Sequence, residues 1–229
     1  ILLIHCISHF FYPAYPPPAD SWLNFLDQIT AKVIPTLFSG KAYAIFALLF
    51  GFTFYIQHSN QRKKGKDFGY RFLWRMVLLA VFALFNAAFF PAGDVLMMFV
   101  YSSIILFICR NLPDKVVLIV IIVLLSQPIE WVHLILSRIN PTYQLPDFGI
   151  APLHEKIIEN TKNGNLIDFF RMNITLGLKV SLLWAIESGR TLQVAGLFLL
   201  GFYIGRKQFF VDSVRNLKFW QRVLIICFV

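Results

Sequence analysis

The stretch Val33–Gln57 reads VIPTLFSGKAYAIFALLFGFTFYIQ and holds a single charged residue, Lys41. A helix that crosses a bilayer needs about 20 mostly apolar residues, and this run supplies them. Further apolar runs flank it at 72–90, 94–110, 115–136, 166–186 and 191–205. Residues 1–12 and 219–229 read as parts of two more. The whole chain of 229 residues is 58% hydrophobic and 14% charged, with mean hydropathy +0.66. An ordinary soluble domain is about 25% charged, so a soluble protein of this length would be sticky over its entire surface. The composition excludes a soluble enzyme, a disordered chain and a small disulfide scaffold. It predicts an all-α polytopic transmembrane helix bundle, with residues 1–229 as one domain. Both ends fall inside apolar runs, Ile1-Leu2-Leu3-Ile4 and Ile225-Ile226-Cys227-Phe228-Val229. We therefore expect an internal fragment of a longer protein, truncated in its first and last helices.

Charge orders the spans. The net charge of +9 is gathered between apolar runs, which reads as topology and not as nucleic-acid binding. Arg62, Lys63, Lys64, Lys66, Arg71 and Arg75 make 58–71 and its flank a cytoplasmic basic loop. Arg206, Lys207, Arg215, Lys218 and Arg222 put 206–222 on the same side. Residues 13–32, rich in proline, and 137–190 then become extracytoplasmic connectors with interfacial helices. The reading takes 21–32 as a short amphipathic helix and 137–165 as a polar loop with Pro141, Pro146 and Pro152. It breaks the fifth span at Pro128. It lays 166–186 along the outer interface, since Arg171, Asn173 and Lys179 fit an amphipathic helix better than a clean span. Gly196, Gly201 and Gly205 have small-residue spacing suited to close helix packing. Trp22, Trp74, Trp131, Trp184 and Trp220 fall near predicted helix ends, as an interfacial belt would.

Cys6, Cys109 and Cys227 and five scattered histidines predict neither a disulfide nor a metal site. No phosphate-loop, dinucleotide, zinc-protease or nucleophile-elbow motif occurs. Polar groups within or beside membrane helices are costly and need a reason. On the expected topology they gather in an outer layer: His5, His9, Lys41, Asn86, Asp94, Gln127, Glu130, His133, Glu187 and Arg190. Imidazole, carboxylate and guanidinium together are the ingredients of proton transfer. Bland readings stand beside this one. Asp94 serves as a helix cap, Lys41 snorkels or pairs with Asp94 or Glu130, and Glu187 pairs locally with Arg190.

The string Phe38-Ser39-Gly40-Lys41-Ala42-Tyr43-Ala44-Ile45-Phe46 through Phe52 resembles a signature of the YeiB-like family of bacterial membrane proteins. Arg71 to Asp94 is similar to its next signature. Gly189-Arg190-Thr191-Leu192-Gln193 and Leu197 to Lys207 resemble its later block. That family is distantly similar to transmembrane acyltransferases, including the acyltransferase-3 enzymes. The resemblance implies a multi-pass protein of the bacterial cytoplasmic (inner) membrane. It also implies transfer of an acyl group from a cytoplasmic thioester, such as acyl-CoA, to an extracytoplasmic glycan or other envelope acceptor. His5 stands where those enzymes carry a histidine preceded by an arginine eleven positions earlier, a position before Ile1. Many family members carry His where this chain has Asn86, which cannot accept a proton as a base.

The expected catalytic set is His5 as general base with Asp94 or Glu130 orienting it. Lys41, Asn86, Glu187 and Arg190 form the expected substrate-binding set, Lys41 and Arg190 facing an oxyanion or anionic acceptor. No bound cofactor, metal or nucleic acid is expected; the bilayer is the standing partner. The alternatives are a transporter with an intramembrane proton or ion relay through Lys41, Asp94 and Glu130, and a non-catalytic membrane scaffold.

Overall fold

The computed structural model describes residues 21–38, 40–89, 95–211 and 213–228, all of it helices and their connections. The opening stretch does not form one helix. Helix α1 runs Ser21–Phe38 and α2 runs Lys41–Lys63. The break falls at Gly40, whose φ of 75° is left-handed, a conformation glycine adopts without steric cost. The expected span of 33–57 is thus corrected to begin at Lys41 and extend six residues further, through His58 and Arg62. Residues 33–38 belong to the helix before it.

Helix α3 (Gly69–Phe89) returns antiparallel to α2. Asp67 Oδ1 accepts the Gly69 N–H at 3.0 Å and caps its start. Phe54 meets Phe72 at 4.6 Å, and Gln57 and Gln61 accept hydrogen bonds from Arg75 and Arg71. Helices α4 (Leu96–Ser102) and α5 (Ile104–Cys109) form the short apolar return stroke. Helix α6 (Asp114–Leu125) and α7 (Pro128–Ile139) are one membrane-length helix broken where the sequence predicts. Pro128 has no N–H and disfavours helical backbone at the residue before it; Gln127 accordingly sits at φ 53° and α7 restarts with Pro128 at its first turn.

Helix α11 (Arg190–Arg206) is the axis of the bundle. It is apolar on every side, and Val194, Phe198 and Leu199 are fully buried. It runs parallel to α2. A Cβ on Gly51 would lie 1.9 Å from the carbonyl oxygen of Phe198, and one on Gly201 would lie 1.9 Å from that of Leu48. Backbone therefore touches backbone at two reciprocal points. Ala47, Gly51 and Phe54 form the matching buried face of α2 at helical spacing. Helix α6 packs antiparallel on another side of α11, where Leu124 and Leu125 fill the space left by Gly196. The sequence expectation about these small residues thus describes real contacts, and it extends to Gly51 on the partner helix.

The helix at 150–163 and the rod that follows it gather at the end of the bundle that holds Lys41 and Arg190. Residues 150–163, expected as loop, form helix α8 (Ile150–Asn163). Its three nearby prolines obscure the signal, but Pro152 falls in the first turn, where a missing N–H costs nothing. Ile150, Leu153 and Ile157 share one face, and Ile157 is buried. Helix α9 (Leu166–Met172), a π-helical turn (Asn173–Gly177) and α10 (Leu178–Glu187) make a continuous rod. The rod touches the C-terminal end of α3, where Asn173 Nδ2 donates to Ala88 O at 3.0 Å and Phe170 meets Phe89 at 5.2 Å. Its other end meets the start of α11, where Thr191 Oγ1 donates to Ala185 O at 3.2 Å. Helix α12 (Val214–Phe228) follows the basic connector, tied back by Trp220 Nε1 to Phe209 O at 2.8 Å.

Four helical stretches are long and apolar enough to cross a membrane: Lys41–Lys63, Gly69–Phe89, Asp114–Ile139 and Leu166–Glu187. Large apolar side chains cover their outer faces, with Phe82 67% and Ile119 61% exposed. Only lipid makes such a surface stable.

Replacing Gly51 or Gly201 by Val will force α2 and α11 apart. Overpacking of about 1–3 kcal/mol corresponds to a fall of roughly 2–12 °C in the unfolding midpoint in detergent. Val81→Leu, on the lipid-facing side, will leave the midpoint within about 1 °C. A Gly51→Val variant as stable as Val81→Leu would contradict the close approach.

Candidate functional site

Parallel packing of α2 and α11 brings the first residues of both helices to one end of the bundle. Lys41 opens α2 and is exposed; its Nζ donates to Thr36 O at 2.5 Å. It forms no ion pair with Glu130, one of the two carboxylates that the sequence offered; the other, Asp94, lies outside the described residues. Arg190 opens α11 and is half-buried. Its guanidinium lies 5.4 Å from the Tyr43 ring centre and 5.6 Å from that of Trp184. Among the described residues the ion pairs within 4 Å are Arg206–Asp114 and Lys207–Asp114, both 2.7 Å and both at the opposite end. Arg190 and Glu187 therefore form no local ion pair. Among the described residues the Arg190 charge faces aromatic rings and no carboxylate.

The turn before α11 organises the rest. Gly189 is buried with φ 64°, and a Cβ there would lie 2.2 Å from Gln127 Oε1 and 3.1 Å from Glu130 Oε1. Gln127 Nε2 donates to Gly189 O at 3.3 Å. The Pro128 break thus turns Gln127 and the exposed Glu130 onto the Gly189–Arg190 turn. Inside the bundle, Tyr101 Oη and Thr191 Oγ1 share a hydrogen bond at 3.2 Å. The Tyr43 hydroxyl is buried with no hydrogen-bond partner among the described residues. Beside this cluster an open cavity of about 710 Å³ is lined by Asp147, His154, Glu155, Trp184, Glu187 and Ser188, among others.

Of the sequence-derived candidates, the structure brings Glu130, Glu187 and Arg190 to one turn and Lys41 to the same end. Asn86 is half-buried near the end of α3, one turn before the Phe89 contact with the rod. His5, His9 and Asp94 lie outside the described residues. His133 is engaged with the following loop, its Nδ1 2.7 Å from Tyr143 Oη. Tyr43, Tyr101 and Thr191 are the residues that sequence reasoning passed over. A hydroxyl within an apolar run is weak evidence alone, and Tyr43, two residues after Lys41, carried no spacing signal that ties it to Arg190. No group of three His, Cys, Asp or Glu gathers among the described residues in a way that could hold a metal ion.

Gly189→Ala will place a methyl group against Gln127 and strain a left-handed position, costing about 1 kcal/mol or more. Gly189→Ala combined with Gln127→Ala will recover part of that loss in thermal unfolding. A double variant less stable than the sum of the two single ones would show that Gln127 does not crowd this glycine.

Comparison with known proteins gives little beyond this. No protein-family model matches the chain. No solved structure matches it. A curated relative, "Uncharacterized protein YxaH" of Bacillus subtilis (strain 168), is 22% identical over 193 residues, which is 70% of this chain and 46% of that protein. The chain thus spans about half the length of the relative it matches, and the helices, not the relative, identify it as a membrane protein.

Proposed function

We propose that this chain is part of a multi-pass protein of the bacterial cytoplasmic membrane, of YeiB-like type, that transfers an acyl group from a cytoplasmic thioester to an envelope acceptor. The observation that carries this reading is Arg190: a half-buried guanidinium at a helix start, with no carboxylate paired to it among the described residues, beside an open cavity at the end opposite the basic connectors. The basic residues of 62–75 and 206–222 orient that end outward by the positive-inside rule. The rod 166–187, anchored to the outward ends of α3 and α11, then lies at the outer face.

In the reaction a base takes the proton of an acceptor hydroxyl, and the oxygen attacks the thioester carbonyl. A carbon–oxygen bond forms, the carbon–sulfur bond breaks, and the proton passes to the departing thiolate. His5 is the proposed base, with Asp94 or Glu130 orienting it. Arg190, supported by Lys41, stabilises the carbonyl oxygen as it gains charge. Trp184 offers an apolar platform, and Glu155, Glu187 and Asp147 offer acceptors for the hydroxyls of a glycan. Asn86 sits on the same outward end as a neutral hydrogen-bonding group.

The test uses the full-length protein with radiolabelled acetyl-CoA and an envelope glycan extract. Arg190→Ala will lower label transfer by about 10²–10³-fold, the usual loss for one oxyanion donor, and Arg190→Lys will restore part of it. His5→Ala will abolish transfer at unchanged expression. Substrate-dependent proton flux in liposomes without any acyl donor, together with no CoA release, would replace this reading by transport.

A further inference from the structure

The hairpin of α2 and α3 is closed at its basic end and open along its length. Two rungs close it: Gln57 with Arg75, and Gln61 with Arg71. Beyond the rungs the helices leave a lipid-facing crevice of about 200 Å³. Phe46, Leu49 and Phe50 line its apolar length, and Thr53, Gln57 and Arg75 its polar end. Helix α4 closes the back, where Phe99 meets Phe46 and Phe50 at 5.5 and 5.9 Å.

Three features describe the occupant. The crevice is narrower than ordinary solute sites of about 300–1,000 Å³ and opens sideways to the bilayer, so what enters is a single chain from lipid. Arg71 and Arg75 are one helical turn apart on the same face, an arrangement of like charges that costs stability unless an anion answers it. Neither pairs with a carboxylate among the described residues, and each guanidinium has donors left over after its single glutamine bond. Two forked cations at the mouth of an apolar slot complement a phosphate carried on an acyl chain.

We propose that the α2–α3 crevice is a binding site for an anionic glycerophospholipid, with one acyl chain between Phe46, Leu49 and Phe50 and its phosphate on Arg75 and Arg71. This site lies at the opposite end from Arg190 and does not depend on the acyl-transfer reading.

Native mass spectrometry of the full-length protein, with phosphatidylglycerol or phosphatidylcholine of matched chains, tests it. The wild type will retain phosphatidylglycerol at least about tenfold better. Arg71→Gln with Arg75→Gln keeps hydrogen-bonding groups on both rungs but removes the charges, and will cut that preference by about 10- to 30-fold. Leu49→Trp fills the slot at an exposed position while leaving both arginines, and will also release the lipid. Unfolding midpoints of both variants close to wild type show that the bundle is intact. Equal retention of the two lipids by the wild type would overturn the site. So would full phosphatidylglycerol retention by Leu49→Trp, since that outcome assigns the effect to surface charge alone.

Discussion

Everything in this bundle is hung on the contact between α2 and α11. Gly51 and Gly201 let two parallel backbones meet where any side chain would collide with a carbonyl. In lipid, association gains little from hiding apolar surface, because lipid tails are as apolar as the helices. Close packing must supply the attraction, and glycine makes close packing possible. Phe50 then stacks on Phe198, and Phe54 meets Phe202 edge to face, around the contact. Helix α6 and the α4–α5 stroke pack on the pair thus formed.

Parallel packing has a chemical consequence. It segregates the two ends of the molecule. One end collects Arg62, Arg71, Arg75, Arg206 and Lys207. There Arg206 and Lys207 share Asp114, and Arg206 Nη1 donates to Leu112 O at 2.7 Å. The hydrogen bond that Lys207 donates to Asp114 also raises its ammonium above its ordinary pKa. These contacts lock the end of α11 to the start of α6. The other end collects helix starts, left-handed turns and Arg190, which meets no carboxylate among the described residues. There Gln127 and Gly189, both with positive φ, face each other. Backbone irregularity at one end of a membrane bundle is where polar groups can be displayed without burying them in hydrocarbon.

Much of this was legible in the sequence. Hydropathy located the spans because bilayer thickness dictates their length. Pro128 announced its own break, and the glycines of α11 announced close packing. The two basic segments agreed on one side, and the parallel α2–α11 pair places them at one end of the bundle. What hydropathy missed were features set by single residues or by tertiary contact. Gly40 ends one helix and starts another inside an unbroken apolar run. Helix α8 hid behind three prolines because its start depends on where Pro152 falls within a turn. The rod 166–187 has the length of a span, yet its contacts at Ala88, Phe89 and Thr191 all lie at one end of the bundle. The candidate site was half legible. Arg190, Glu187 and Glu130 do converge, but their convergence on Gly189 and the part played by Tyr43 follow from packing that no spacing rule encodes.

The most direct test of the parallel α2–α11 arrangement is sidedness. Single cysteines introduced as Lys66→Cys, Val211→Cys and Gln144→Cys, in full-length protein otherwise lacking cysteine, can be probed with a membrane-impermeant maleimide in intact cells. The account predicts that Gln144→Cys is labelled in intact cells, and that Lys66→Cys and Val211→Cys are labelled only after permeabilisation. Labelling of the Lys66 and Val211 positions from opposite sides would make α2 and α11 antiparallel and would contradict the fold at its axis.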